Sequence, residues 1–266
     1  MKRGFYTIMS AQFFSSLADN ALFVAAVELM RTSGAPEWQR AALVPIFTVF
    51  YVALAPLVGA FADALPKGKV MFISNAIKVV GCVMMLFGSH PLMAYAIVGL
   101  GAAAYSPAKY GILTELLPAS QLVKANGWIE GLTIASIILG IVLGGQLVGH
   151  ALSSHLLALD FPFIDTGVNT APEAAISALI LVYMVAAWFN TRIPLTGVEM
   201  RPLRSNPQHG IVRNVFALLP DFWQCNSRLW RDKLGQISLA TTTLFWGAGG
   251  NLKYIVLAWA SLALGY

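Results

Sequence analysis

The chain has 266 residues, 58% of them hydrophobic and 11% charged, with a formal net charge of +5. Soluble domains carry about 25% charged residues, and apolar blocks of about 18 residues or more read as membrane helices, so a soluble enzyme or regulatory domain is excluded. The basic residues fall in the connections between apolar blocks, where they set membrane topology, and do not speak for nucleic acid.

Seven spans follow in chain order. Lys2-Arg3 ahead of an apolar stretch looks like a signal peptide. The stretch runs past Asp19-Asn20 to Met30 with no clean small-residue cleavage site, so it reads as an uncleaved first span, Phe5 to Met30. The others are Ala41 to Ala62, Val70 to Gly88, Pro91 to Leu113, Asn126 to His150, Glu173 to Ile193 and Leu234 to Leu264. At about 1.5 Å per residue each can cross a hydrocarbon core of about 30 Å. With the N-terminus in the cytoplasm, the inside segments hold twelve Lys and Arg, against Arg31 and Arg40 outside. The loop 151–172 has Asp160 and Asp165 and no basic residue. The bias predicts a cytoplasmic N-terminus.

The connection from Pro194 to Lys233 is long and basic. Within it Ile211, Val215, Leu218, Leu219 and Phe222 recur at helical spacing. Either an amphipathic helix on the inner leaflet or a short helix packed on the bundle accounts for them. Residues 1–193 thus read as a six-helix bundle, 194–233 as a cytoplasmic linker, and 234–266 as the first helix of a second bundle. Six-helix halves joined this way are the plan of a twelve-helix secondary transporter. The chain stops just after the seventh span, so a truncated twelve-helix, all-α membrane protein is expected.

Three ionisable residues fall where a bilayer disfavours them. Asp19, beside Asn20, is near the middle of span one, Lys109 is in span four, and Lys253 is near the middle of span seven. A charge at the membrane centre costs about 2.5–3.5 kcal/mol on insertion scales. Asp19 is therefore expected to pair with Lys109 inside one bundle or with Lys253 across two, as a gating or substrate-binding element. A static pair that only fixes packing is the alternative. Lys78 and Glu130 sit nearer a cytoplasmic end, where Lys78 can snorkel. Trp38 and Trp128 suit an interfacial belt.

The loop Gly59-Ala-Phe-Ala-Asp63-Ala-Leu-Pro66-Lys67-Gly68-Lys69 resembles the signature loop of the major facilitator superfamily, though Gly68 comes five residues after Asp63 and Pro66 stands in a usual Gly place. Gly59 would allow close helix approach, and Asp63 would pair with a basic group or a helix N-terminus to latch one state. In span five, Gly131, Gly140, Gly144 and Gly145 partly resemble an antiporter motif, but tight packing explains them as well. The four histidines lie in loops or at helix ends without metal spacing, no phosphate-cradling loop occurs, and Cys82 and Cys225 read as free thiols. No enzyme, metal or cofactor is indicated.

The strings Asp19-Asn20-Ala21-Leu22, Tyr105-Ser106-Pro107-Ala108-Lys109-Tyr110-Gly111, Leu122-Val-Lys124-Ala-Asn126-Gly127 and Leu244-Phe-Trp246-Gly247-Ala-Gly249 resemble the bacterial lysophospholipid transporter family LplT, of the major facilitator superfamily. The resemblance runs from about Ala11 onward and departs in the linker and the outer loop between spans five and six. It implies movement of 2-acyl-glycerophosphoethanolamine lipids to the cytoplasmic leaflet of the inner membrane. The route would be facilitated diffusion by alternating access. An acyltransferase/acyl-carrier-protein synthetase would act on the product. A phosphate for Lys109 or Lys253 and an ammonium for Asp19 suit such a headgroup. A proton-coupled drug or metabolite antiporter with Asp19 as proton carrier, and a membrane scaffold with no transport path, are the competing readings.

Overall fold

The computed structural model describes residues 3–158, 168–200 and 216–264, and among these all regular structure is helical. Its helices are α1 (Arg3–Thr32), α2 (Glu37–Ala53), α3 (Ala55–Ala64), α4 (Lys67–Leu86), α5 (Pro91–Leu116), α6 (Ala119–Val148), α7 (His150–Leu157), α8 (Ala171–Thr191), α9 (Leu218–Arg231) and α10 (Lys233–Leu264). Five of them, α1, α4, α5, α6 and α8, are long and apolar enough to cross a bilayer, and α2 with α3 makes a sixth, bent span. The seventh expected span coincides with α10, whose 32 residues rise about 48 Å. The protein is thus an all-α, multi-pass membrane protein.

The second span is bent. The span expected from Ala41 to Ala62 is present as a pair of helices, α2 and α3, that meet at 65°. The cause is Pro56 at the start of α3. Its nitrogen has no proton for the carbonyl one turn earlier, and its ring crowds that carbonyl. Leu54 leaves helical geometry at ψ 4°, and its carbonyl starts the new turn by accepting from Leu57 and Val58 at 2.8 and 2.9 Å.

The chain separates into two compact units, Met1–Ser205 and Asn206–Tyr266. In the first, α1 packs along α6 and α8, α4 along α5 and α8, and α2 and α3 on α5. Small residues bring α1 and α6 together. A Cβ at Gly140 would lie 2.6 Å from the Leu17 carbonyl, and one at Gly144 2.7 Å from that of Ala21. Gly131 and Gly145 meet nothing within 4 Å.

Three apolar clusters fill this unit, and two of them flank its middle. One gathers Ala18, Leu22, Cys82, Met85, Val98, Leu179 and Tyr183. The other gathers Ile8, Ala11, Val70, Met71, Tyr105 and Ile112. Between them, Ser15 of α1, Ser74, Asn75 and Lys78 of α4 and Gly101 of α5 interrupt the apolar sequence at one level. A polar layer between two dry layers is therefore built into the bundle.

In the second unit, α9 precedes α10 with only Asp232 between them. Phe222, Trp223, Leu229 and Trp230 are exposed on α9, and Arg228 and Arg231 occupy its last turn. Of the periodic residues in the linker, Ile211 and Val215 lie outside the described residues, as do Arg201, Arg204, Arg213, Asp160 and Asp165.

Candidate functional site

The polar layer is organised around Asp19. Ser15 and Asp19 stand one turn apart on α1, on the face turned to α4 and α8. Lys78 of α4 donates from Nζ to Asp19 Oδ2 at 2.8 Å and to Ser15 Oγ at 2.9 Å. Tyr183 of α8 donates its hydroxyl to Asp19 Oδ1 at 2.7 Å. Ser15 in turn donates to Asn75 Oδ1 at 2.8 Å. The ammonium group also lies 5.1 Å from the ring centroid of Tyr105 and 5.6 Å from that of Tyr183, within cation–π range.

The backbone makes room for this. A Cβ at Gly101 would fall 2.6 Å from the Ser74 carbonyl and 2.8 Å from Lys78 Cγ. Glycine at that position lets α5 close on α4 with the lysine stem between them. One turn on, Tyr105 supplies the ring. Gly101 and Tyr105, one turn apart on α5, thus wall the lysine's compartment.

This corrects the expected partner of Asp19. Among the described residues its cationic partner is Lys78, not Lys109. Lys78 does not snorkel: it is 1% exposed. It stands eleven residues into α4 from Lys67, about 16 Å along the axis, which a lysine stem does not span. Tyr183, Ser15 and Asn75 were not anticipated either, because uncharged polar residues give no hydropathy signal. Lys253 lies in α10 with its side chain outside the described residues, so its pairing with Asp19 is not described. Asn20 donates to the Ser16 carbonyl at 2.8 Å, within its own helix.

Lys109 has a different environment. It is 7% exposed, and its Nζ lies 4.4 Å over the Tyr110 ring. Among the described residues no carboxylate stands within ion-pair distance of it. The nearby Glu130 accepts instead from the Tyr110 hydroxyl at 2.6 Å. The bundle thus holds Asp19 as an engaged carboxylate and Lys109 as a cation with no bonded counter-ion among the described residues, opposite charges a zwitterion could use.

A third locus is the α3–α4 connection. Lys67, 8% exposed, donates to Asp63 Oδ1 at 2.7 Å and to the Ala62 carbonyl at 2.8 Å, and lies 3.5 Å from Glu115 Oε1. Glu115 Oε2 accepts from Thr196 at 2.6 Å. A cavity of about 430 Å³ opens here, bounded by Asp63, Lys67, Glu115 and residues 195–200. Close approach is made by Gly68, not by Gly59. A Cβ on Gly68 would meet the Asn190 carbonyl of α8 at 2.9 Å, whereas Gly59 has nothing within 4 Å. Lys69 is exposed. Glu115 escaped notice because it lies far along the chain from the loop it serves.

Among the described residues no group of His, Cys, Asp or Glu could hold a metal ion. Cys82 and Cys225 are free, the first buried and the second exposed.

The family model described as Major Facilitator Superfamily matches residues 8–265. Relatives include the lysophospholipid transporter LplT of Yersinia enterocolitica, 40% identical over 265 residues, covering 100% of this chain and 59% of that protein. The proteins of the same name from Yersinia pestis strain Pestoides F and Yersinia pseudotuberculosis strain YPIII are 38% identical over 265 residues, again over 100% of this chain and 58% of theirs. The chain thus spans a little under three-fifths of the length of these relatives.

Proposed function

The chain belongs to the major facilitator superfamily, and from that premise we propose that the protein carries lysophospholipids of the 2-acyl-glycerophosphoethanolamine type across the bacterial inner membrane. The observation that carries this reading is the presence of both signs of charge inside an otherwise apolar bundle. Asp19 offers a carboxylate to the headgroup ammonium, and Lys109, which has no ion-pair partner among the described residues, offers an ammonium to the phosphate. Asn20 and Lys253 of α10 belong to the same proposed substrate-binding or gating set. The names of the relatives point to the same substrate class.

In this reading transport is facilitated diffusion by alternating access. Asp63, Lys67, Gly68 and Lys69 form the latch at the cytoplasmic end, with Glu115 as an added member, and Gly59 marks the start of the loop. The excess of Lys and Arg on the N-terminal side supports a cytoplasmic N-terminus. The α9 helix lies on the membrane surface, and an acyltransferase/acyl-carrier-protein synthetase consumes the delivered lipid. No chemical step is assigned to the chain. The engagement of both Asp19 oxygens, by Lys78 and Tyr183, favours facilitated diffusion over the alternative of a proton-coupled drug or metabolite antiporter.

The test is reconstitution of the protein expressed from its complete reading frame. Fluorescent 2-acyl-glycerophosphoethanolamine is placed in the outer leaflet of vesicles, and the fraction that albumin can still extract is followed in time. Protein-dependent loss of extractable lipid without any ion gradient is expected, and Asp19→Asn should slow it at least tenfold. Movement that occurs only with an imposed proton gradient would hand the case to the antiporter.

A further inference from the structure

The two members of the buried pair differ in access. The Asp19 side chain keeps 18% of its surface exposed, whereas that of Lys78 keeps 1%. A ligand reaching this layer touches the carboxylate and not the lysine behind it. We propose that Lys78 is a positioning residue for the substrate: it acts on the headgroup only through Asp19, whose carboxylate it holds in one orientation. This rests on Asp19 being a headgroup ligand, as proposed above.

The geometry gives Lys78 no other outlet. Its ammonium is committed to Asp19 and Ser15, and the rings of Tyr105 and Tyr183 face what remains. Ser15 is itself tied to Asn75, one turn before Lys78 on the same helix. The stem is walled in at Gly101. Without the lysine, Asp19 would keep only the Tyr183 hydroxyl among its described partners. The headgroup ammonium would then meet a reoriented carboxylate. Lys78 differs in this from Lys109, which has no carboxylate partner among the described residues.

The prediction is one of headgroup selectivity rather than bare loss. Protein expressed from its complete reading frame is reconstituted as wild type, Lys78→Met, Asp19→Asn and the double variant. Flipping is measured with two lysolipids, one with an ethanolamine and one with a glycerol headgroup on the phosphate. The ammonium-bearing lipid should lose at least tenfold in Lys78→Met, the glycerol lipid much less. Asp19→Asn should give the same shifted ratio, and the double variant should be no worse than either single change.

A merely structural lysine would slow both lipids alike. Equal losses, a wild-type ratio in Lys78→Met, or additive losses in the double variant would each overturn the proposal. If Lys78→Met does not fold, the double variant, which strands no charge, carries the comparison, and a ratio unlike that of Asp19→Asn sinks the idea. Should wild type move neither lipid, or Asp19→Asn leave rate and ratio intact, the substrate reading fails, and the role of Lys78, which acts only through Asp19, falls with it; a shifted ratio in Asp19→Asn without one in Lys78→Met overturns the role of Lys78 alone.

Discussion

Tyr183 and Asp19 stand 164 positions apart in sequence, and the phenol of one donates to the carboxylate of the other at 2.7 Å. The bond ties α8 to α1 at the level of the polar layer. Hydrogen bonds to a charged group contribute about 1.5–3 kcal/mol. Tyr183→Phe keeps the ring, and with it the packing and the face toward Lys78, and removes only the donor. The purified protein should unfold several degrees lower in detergent, with a loss within that energy range. An unchanged melting midpoint would mean the bond contributes nothing.

Lys109 should respond in the opposite way. A buried cation without a bonded counter-ion costs several kcal/mol of desolvation, and among the described residues the Tyr110 ring is in direct contact with it. Lys109→Met should leave thermal stability equal or higher while lysolipid flipping falls at least tenfold. Stability and transport measured on one preparation make the check. A variant that is both less stable and inactive would point to a packing role.

The glycines of α6 divide by what surrounds them. Gly144→Ala places a methyl 2.7 Å from the Ala21 carbonyl, and relief requires α1 and α6 to separate. Such overpacking costs about 1–3 kcal/mol. Gly131→Ala meets nothing within 4 Å and gains helix propensity of up to about 1 kcal/mol. Thermal unfolding should move down for the first and stay or rise for the second. Equal behaviour would argue against close α1–α6 contact.

The α9 helix can be located by its own thiol. Cys225 is exposed and shares a helix face with Phe222 and Leu229, at i−3 and i+4, whereas Cys82 is buried. With other cysteines replaced, a spin label at Cys225 in proteoliposomes should collide with oxygen more than with a water-soluble nickel chelate. The reverse order would place this face in water or against protein.

How far the sequence disclosed all this depends on the kind of signal. Span positions followed from hydropathy, because burying an unbroken apolar helix in lipid dominates every local preference. The bend in the second span did not, although Pro56 was visible. Proline in a membrane helix has several outcomes, and only the packing of α2 and α3 on α5 selects one. Asp19 announced itself as a misplaced charge. Its partner stayed hidden, since depth along a helix was judged from the nearest loop, while pairing is decided by which face of α4 meets α1. The same limit applies to Glu115, which reaches Lys67 from another helix, and to Tyr183, whose hydroxyl no periodicity singles out.

The Asp19–Lys78 pair has an electrical corollary. One elementary charge crossing the membrane field exchanges about 2.3 kcal/mol for every 100 mV. Two opposite charges held 2.8 Å apart displace together as a dipole and couple to that field hardly at all. If the bundle swings as proposed, voltage acts as neither brake nor motor on this part of the molecule.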